Sequence, residues 1–182
     1  ESSEWLEQNL RSTRNFIRKW GHMVKHDEMM FPIIPHKYDV GFVAYNCNVN
    51  LLKELEPWCN TIYLDYGSDY MGEYKKEEQP NTQFNLDERI KLYGNSKISE
   101  LHDVCVEFDC NDLTAQNFQI LVNLSEILED SGEVGEMKYE IFTTVTILVS
   151  ECARAFLIEQ SARRHAKTAT HCGMALVSFP SR

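Results

Sequence analysis

Glycine is scarce in this chain, and it is missing where nucleotide loops need it. Only eight glycines occur in 182 residues. The first predicted strand, "DVGFVAYN" (39–46), runs into "NCNVN" with none. A dinucleotide-binding turn needs glycines directly after that strand, so that the backbone can approach a pyrophosphate. No Gly-x4-Gly-Lys-Ser/Thr run occurs either. NAD, FAD and ATP sites of those types are therefore disfavoured, and so is the glycine-rich first turn of an ordinary methyltransferase.

Other absences narrow the field further. No stretch approaches the run of about 18 apolar residues that a membrane span requires. Basic charge is short: 18 Lys and Arg stand against 28 Asp and Glu, a formal charge of −10. That balance opposes nonspecific binding to a nucleic-acid backbone. The six cysteines include no CxxC pair, and the six histidines do not join them at zinc-ligand spacing. Free thiols in a reducing compartment, the cytoplasm, are expected. The N-terminus, "ESSEWLEQNLRS", is too polar for a signal or transit peptide. It starts on Glu1 rather than Met, so a piece of a longer chain is expected.

What is present reads as a globular α/β domain, with 43% apolar and 25% charged residues. Residues 3 to 24 carry Leu6, Leu10, Ile17, Trp20 and Val24 at helical spacing, with Gly21 as a stop. "HDEMMFPIIPHKYD" reads as an extended connection, because its prolines restrict the residues before them. Strand 39–46, a short helix capped by Asn48 or Asn50 and limited by Pro57, and strand "NTIYLD" make a βαβ pattern with parallel strands. Residues 66 to 84 read as a polar loop. A short helix follows at "NLDE", capped by Asn85 with Glu88 three residues on. "DVCVEFD" (103–109) is a third strand. One long helix is expected over about 113–130, capped by Asn111 or Asp112. "MKYEIFTTVTILV" is a further strand or half of a hairpin. An amphipathic helix and a basic tail are expected over 150–182. The expected fold is α/β, a mostly parallel sheet with flanking helices in a Rossmann-like three-layer core. Its parts are an N-terminal helix (1–27), a core (28–149) and the C-terminal segment (150–182).

Two strand ends present acids. "YLDYGSD" places Asp65 at the end of one strand, with Ser68 and Asp69 just beyond, and "VEFDCND" places Asp109 and Asp112 beyond another. Ligands of an open parallel sheet bind outside the carboxyl ends of its strands. An acid there can accept hydrogen bonds from a base or ribose. A neighbouring acid pair supplies hard oxygen ligands for a divalent cation. Each motif also has an ordinary structural reading, as a turn and as a helix cap.

Together these residues resemble the nucleotide-binding half of a family 2 glycosyltransferase, the GT-A fold. Tyr45 and Asn46 stand where that family ends its first strand. "LDYGSD" is similar to its Asp-Asp-Gly-Ser-x-Asp motif, with Tyr66 in place of the second acid. "FDCNDLTAQNFQILVNL" is similar to its Asp-x-Asp-Asp segment and following helix, with Asn111 in place of the central acid. The resemblance spans roughly 38–135. It implies nucleotide contacts from Tyr45, Asn46, Asp65 and Ser68, and a Mn²⁺ or Mg²⁺ ion held by Asp109 and Asp112. It also implies a nucleotide-sugar donor and an acceptor that the sequence does not name. The acceptor-side half and its catalytic acid are not recognisable, although Asp69 and Glu107 are available as bases. "NLRSTRNFIRKWG" resembles the helix that closes many such domains, which implies an adjacent transferase unit. The reading from another class is a non-catalytic interaction or scaffold module with a degenerate site.

Overall fold

The computed structural model describes residues 2–65, 70–94, 98, 101–131, 135–139 and 142–147. Helix α1 (Ser3–Trp20) starts at Ser2, whose side chain accepts from the Trp5 amide. It stops at Gly21, which takes the left-handed conformation (φ 79°) and donates to the Ile17 carbonyl. Its Leu6, Leu10 and Trp20 are exposed, as is Val24 beyond its end, while Ile17 and Arg18 are buried. The apolar stripe is therefore not what seats the helix. Arg14 pairs with Glu78, and Arg18 pairs with both Glu56 and Glu78. Burial of Arg18 is possible because every carboxylate it meets is fixed by the body of the domain.

The connection that follows is not simply extended. Strands β1 (Lys25–His26) and β2 (Pro32–Ile33) pair antiparallel. Asp27 closes their turn by accepting from the amides of Met29 and Phe31. That turn presents Met29, Met30 and Phe31 to solvent.

Strand β3 (Val40–Tyr45), helix α2 (Val49–Leu55) and strand β4 (Thr61–Leu64) form the expected βαβ unit, with β3 and β4 parallel. Asn48 caps α2 through the amides of Asn50 and Leu51. Pro57 falls in a 3-10 turn (Glu56–Trp58) that ends it. The stretch expected to be a loop contains helix α3 (Tyr70–Glu78). Its Lys and Glu residues are good helix formers, and its buried face uses Tyr74 and Glu78 in place of aliphatics. Helix α4 (Leu86–Arg89) begins at Asn85 as expected and runs directly into β5 (Ile90–Leu92), a strand too short to show a period.

Strand β6 (Val104–Asp109) lies beside β3. The long helix is instead two, α5 (Ala115–Val122) and α6 (Leu124–Ser131), broken at Asn123. Its cap is neither Asn111 nor Asp112. Thr114 caps it, in a reciprocal box with Asn117. The last β-rich run is a hairpin, β7 (Gly135–Tyr139) with β8 (Phe142–Ile147). The segment expected to be a C-terminal helix and tail lies outside the described residues.

The sheet order is β5-β4-β3-β6-β8-β7. The first four strands are parallel, and β8 is antiparallel to both neighbours. The fold is thus α/β with a four-stranded parallel sheet flanked by helices, consistent with a three-layer core. Strand alternation divides the side chains. Phe42, Ala44, Ile62, Leu64, Val106 and Phe108 pack with Leu52, Leu55 and Leu121 from the helices. Val43, Tyr63 and Cys105 point the other way and meet Ile98. Each fully buried Leu or Phe contributes about 1.5–3 kcal/mol, so the first cluster dominates. No described helix is long and apolar enough to cross a membrane.

Candidate functional site

Parallel pairing places three strand ends side by side. Tyr45 of β3 is the register partner of Asp109 of β6, and Ala44 is the partner of Leu64, the residue before Asp65. Asn46 follows Tyr45 in the left-handed region (φ 53°). Asparagine tolerates that region better than most side chains. The twist turns its amide toward one acid and its side chain toward another. The Asn46 backbone N–H donates to Asp65 Oδ2 at 2.8 Å. Its Nδ2 donates to Asp109 Oδ2 at 2.7 Å. Asp109 Oδ1 accepts the Asn111 amide at 2.8 Å, which fixes the carboxylate plane.

Tyr45, Asn46, Asp65 and Asp109 are therefore brought to one edge, and the last three form one hydrogen-bonded array. Asp112 stands apart from that array. It ends a 3-10 turn (Cys110–Asp112) with its side chain exposed, and its carbonyl accepts from Asn117 Nδ2. Ser68 and Asp69 lie outside the described residues. Among the described residues, no group of three His, Cys, Asp or Glu side chains is set to hold a metal ion.

Sequence reasoning named Glu107 as a candidate base but missed its partners. The Tyr45 hydroxyl donates to Glu107 Oε1 at 2.7 Å. Burial and that carboxylate together push the Tyr45 phenol well above its ordinary range. The ring of Tyr93, just past β5, meets the Tyr45 ring edge-on at 5.9 Å. No period marks β5, so only its place in the sheet reveals Tyr93. Beneath the edge, Cys47 and Cys110 are buried and free, as are Cys59 and Cys105. The Tyr70 hydroxyl donates to the Cys47 carbonyl and ties α3 to the same corner. The Cys110 thiol is pushed up by its hydrogen bond to Cys47 and by burial.

Chemically, the edge offers acceptor oxygens with limited freedom. Asp65 Oδ1 accepts nothing among the described residues, while Oδ2 is fixed. Among the described residues, Asp109 has one donor on each oxygen, which leaves a lone pair on each. Comparison with family models, with curated proteins and with solved structures finds no match.

Proposed function

We propose that this chain is a glycosyltransferase-like domain that binds a nucleotide-diphosphate sugar at the carboxyl edge of β4, β3 and β6. The observation that carries the reading is the bridge made by Asn46 between Asp65 and Asp109. Two acids at the ends of the parallel strands that flank β3 are held at fixed positions where α/β sheets receive ligands. Asp65 Oδ1 would accept from a base N–H or a ribose hydroxyl, a reading supported by the bond that holds Oδ2. Asn46 stands between the two acids, with Tyr45 beside it, and the resemblance adds Ser68 to the nucleotide side.

The donor set fits a hard divalent cation in one particular way. Asp109 has too few free lone pairs for an all-protein cage. It suits Mg²⁺ or Mn²⁺ bound through one or two carboxylates, with phosphate and water completing the shell. The resemblance offers Asp112, exposed at the end of the 3-10 turn, as a second carboxylate that would have to swing toward Asp109 to share the ion. When bound, such a cation neutralises the diphosphate and stabilises it as a leaving group. The protein groups meanwhile bind and orient the nucleoside. Glu107 is tied to Tyr45 and therefore suits a positioning role better than that of a base.

A second reading is favoured by the exposed apolar surface of α1 and the β1–β2 turn, with Trp5, Leu6, Leu10, Met29, Met30 and Phe31. A scaffold module that docks on a partner would present such a surface. Titration calorimetry with a panel of nucleotide sugars, with and without Mn²⁺, decides between the two. Binding that depends on both nucleotide and metal is the expected result. No binding at millimolar ligand in either condition sinks the transferase reading in favour of the scaffold.

A further inference from the structure

The geometry points to Tyr93 as the stacking wall for the nucleobase, at the far end of the same edge. This assignment rests on the nucleotide-sugar reading above and adds to it the direction in which the nucleotide lies. Three observations carry it. First, the Tyr93 amide donates to the Leu64 carbonyl at 2.7 Å. That bond extends the β5–β4 ladder one residue past β5 and holds the Tyr93 backbone beside Asp65. Second, the Tyr93 ring leans toward β3, meeting Tyr45 at 5.9 Å and 71°. The Tyr45 ring is itself held in place by its hydroxyl, which donates to Glu107. Third, Tyr93 remains 42% exposed. An aromatic ring held by its backbone and by an edge contact, with much of its surface open, loses little freedom on stacking.

The order of strands then sets the ligand's orientation. Tyr93, Asp65, Asn46 and Asp109 follow one another across β5, β4, β3 and β6. Strands about 4.8 Å apart place the first and last of these about 14 Å apart. That is the scale of an extended nucleoside diphosphate, with base on Tyr93, ribose at Asp65 and diphosphate toward Asp109. The sequence of chemistries along the edge (aromatic face, hydroxyl acceptor, cation-holding acid) matches the sequence of groups along that ligand.

The test compares nucleoside diphosphates with inorganic pyrophosphate, which has no base, on the full chain with Mn²⁺. The variants are Tyr93→Leu, which removes the ring, and Tyr93→Phe, which keeps it. The native protein is expected to prefer a nucleoside diphosphate over pyrophosphate. Tyr93→Leu should lose about five- to a hundredfold of affinity for the nucleoside diphosphate, the range found when base-stacking aromatics are truncated. Its affinity for pyrophosphate should not change, and Tyr93→Phe should bind as the native chain does. If the native protein binds a nucleoside diphosphate and Tyr93→Leu binds it equally well, the assignment is overturned while the site stands. An equal loss for both ligands, or a loss in Tyr93→Phe as large as in Tyr93→Leu, shows a structural role and overturns it too. If the native protein binds no nucleotide, the site reading itself fails and takes this assignment with it.

Discussion

The guanidinium of Arg18 lies 2.7 Å from the carboxylate of Glu56, with both side chains fully buried. Glu56 also receives Arg89 and the Tyr74 hydroxyl. Helix α1 and strand β5's leading helix thus converge on one carboxylate. Removing it leaves two buried cations facing each other. Glu56→Ala should cost about 3–5 kcal/mol, the usual result of breaking a buried pair from one side. Arg11→Ala, on the exposed pair with Glu7, should cost under about 1 kcal/mol. Urea denaturation checks both, and similar losses would show that the network does not seat α1.

Glu78 sets a pH dependence. Burial opposes its ionisation, but hydrogen bonds and charge from Arg14 and Arg18 outweigh that and lower its pKa from 4.5. A depressed folded pKa gives stability that is present above the unfolded value and lost as pH falls through the folded one. Stability should therefore decline as pH drops below about 4.5, and Glu78→Gln should flatten that part of the curve. Thermal melts from pH 7 to pH 3 read it. A native-like slope in Glu78→Gln would assign the acid sensitivity elsewhere.

Gly41 of β3 makes room for His102. A Cβ there would sit 2.4 Å from His102 Cδ2. The ring is fixed between Asp39 on Nδ1 and the Tyr63 hydroxyl on Nε2, so it has no easy retreat. Gly41→Ala should destabilise by about 1–3 kcal/mol, as overpacking does. Adding His102→Ala should recover part of that loss, because the clashing ring is gone. Simple additivity of the two variants in a double-mutant cycle would refute the steric account.

Asn46 separates backbone from side-chain roles. Asn46→Gly keeps the left-handed conformation and the amide bond to Asp65, but loses the side-chain bond to Asp109. Asn46→Ala loses the side chain and also bears a left-handed cost of about 1 kcal/mol or more. The glycine variant should be the more stable of the two in denaturant melts. Equal stability would show that the backbone twist is relaxed without cost.

The two acids should act separably in binding. Asp65→Ala should weaken a nucleotide sugar about ten- to a hundredfold with or without Mn²⁺, the cost of losing a hydrogen bond to a charged group. Asp109→Ala should remove the dependence on Mn²⁺, since the cation loses a charged ligand. Calorimetry with melting curves alongside measures both. Identical profiles for the two variants would mean the acids do one job.

Much of the core was readable before any coordinates. β3, α2, β4 and β6 lie where the short apolar runs, Asn48 and Pro57 place them, because those signals are local and strong. The Asn85 start of α4 belongs to the same class. The long helix was misread because Val122 and Leu124 keep the apolar period running straight through Asn123. The cap was misread because Asn111, Asp112 and Thr114 all have capping side chains. Only the backbone path decides which one meets a free amide, and it gave the role to Thr114 with Asn117. Asp65 and Asp109 were legible as strand-end acids. That one asparagine joins them was not, since the bond depends on a positive φ at Asn46.

By itself, the sequence determined where β3, α2, β4 and β6 lie and that acids stand at the ends of β4 and β6. These follow from side-chain period and turn chemistry, which act over a few residues. The tertiary structure alone decided that α1 is seated by Arg18 and Glu56 rather than by its leucines, that α3 forms where a loop was expected, and that Tyr93 reaches the edge beside Asp65. Each of those outcomes depends on partners at least 23 residues away in the chain. Burying a charge or aligning a short strand is favourable only when a distant group is already in place to meet it.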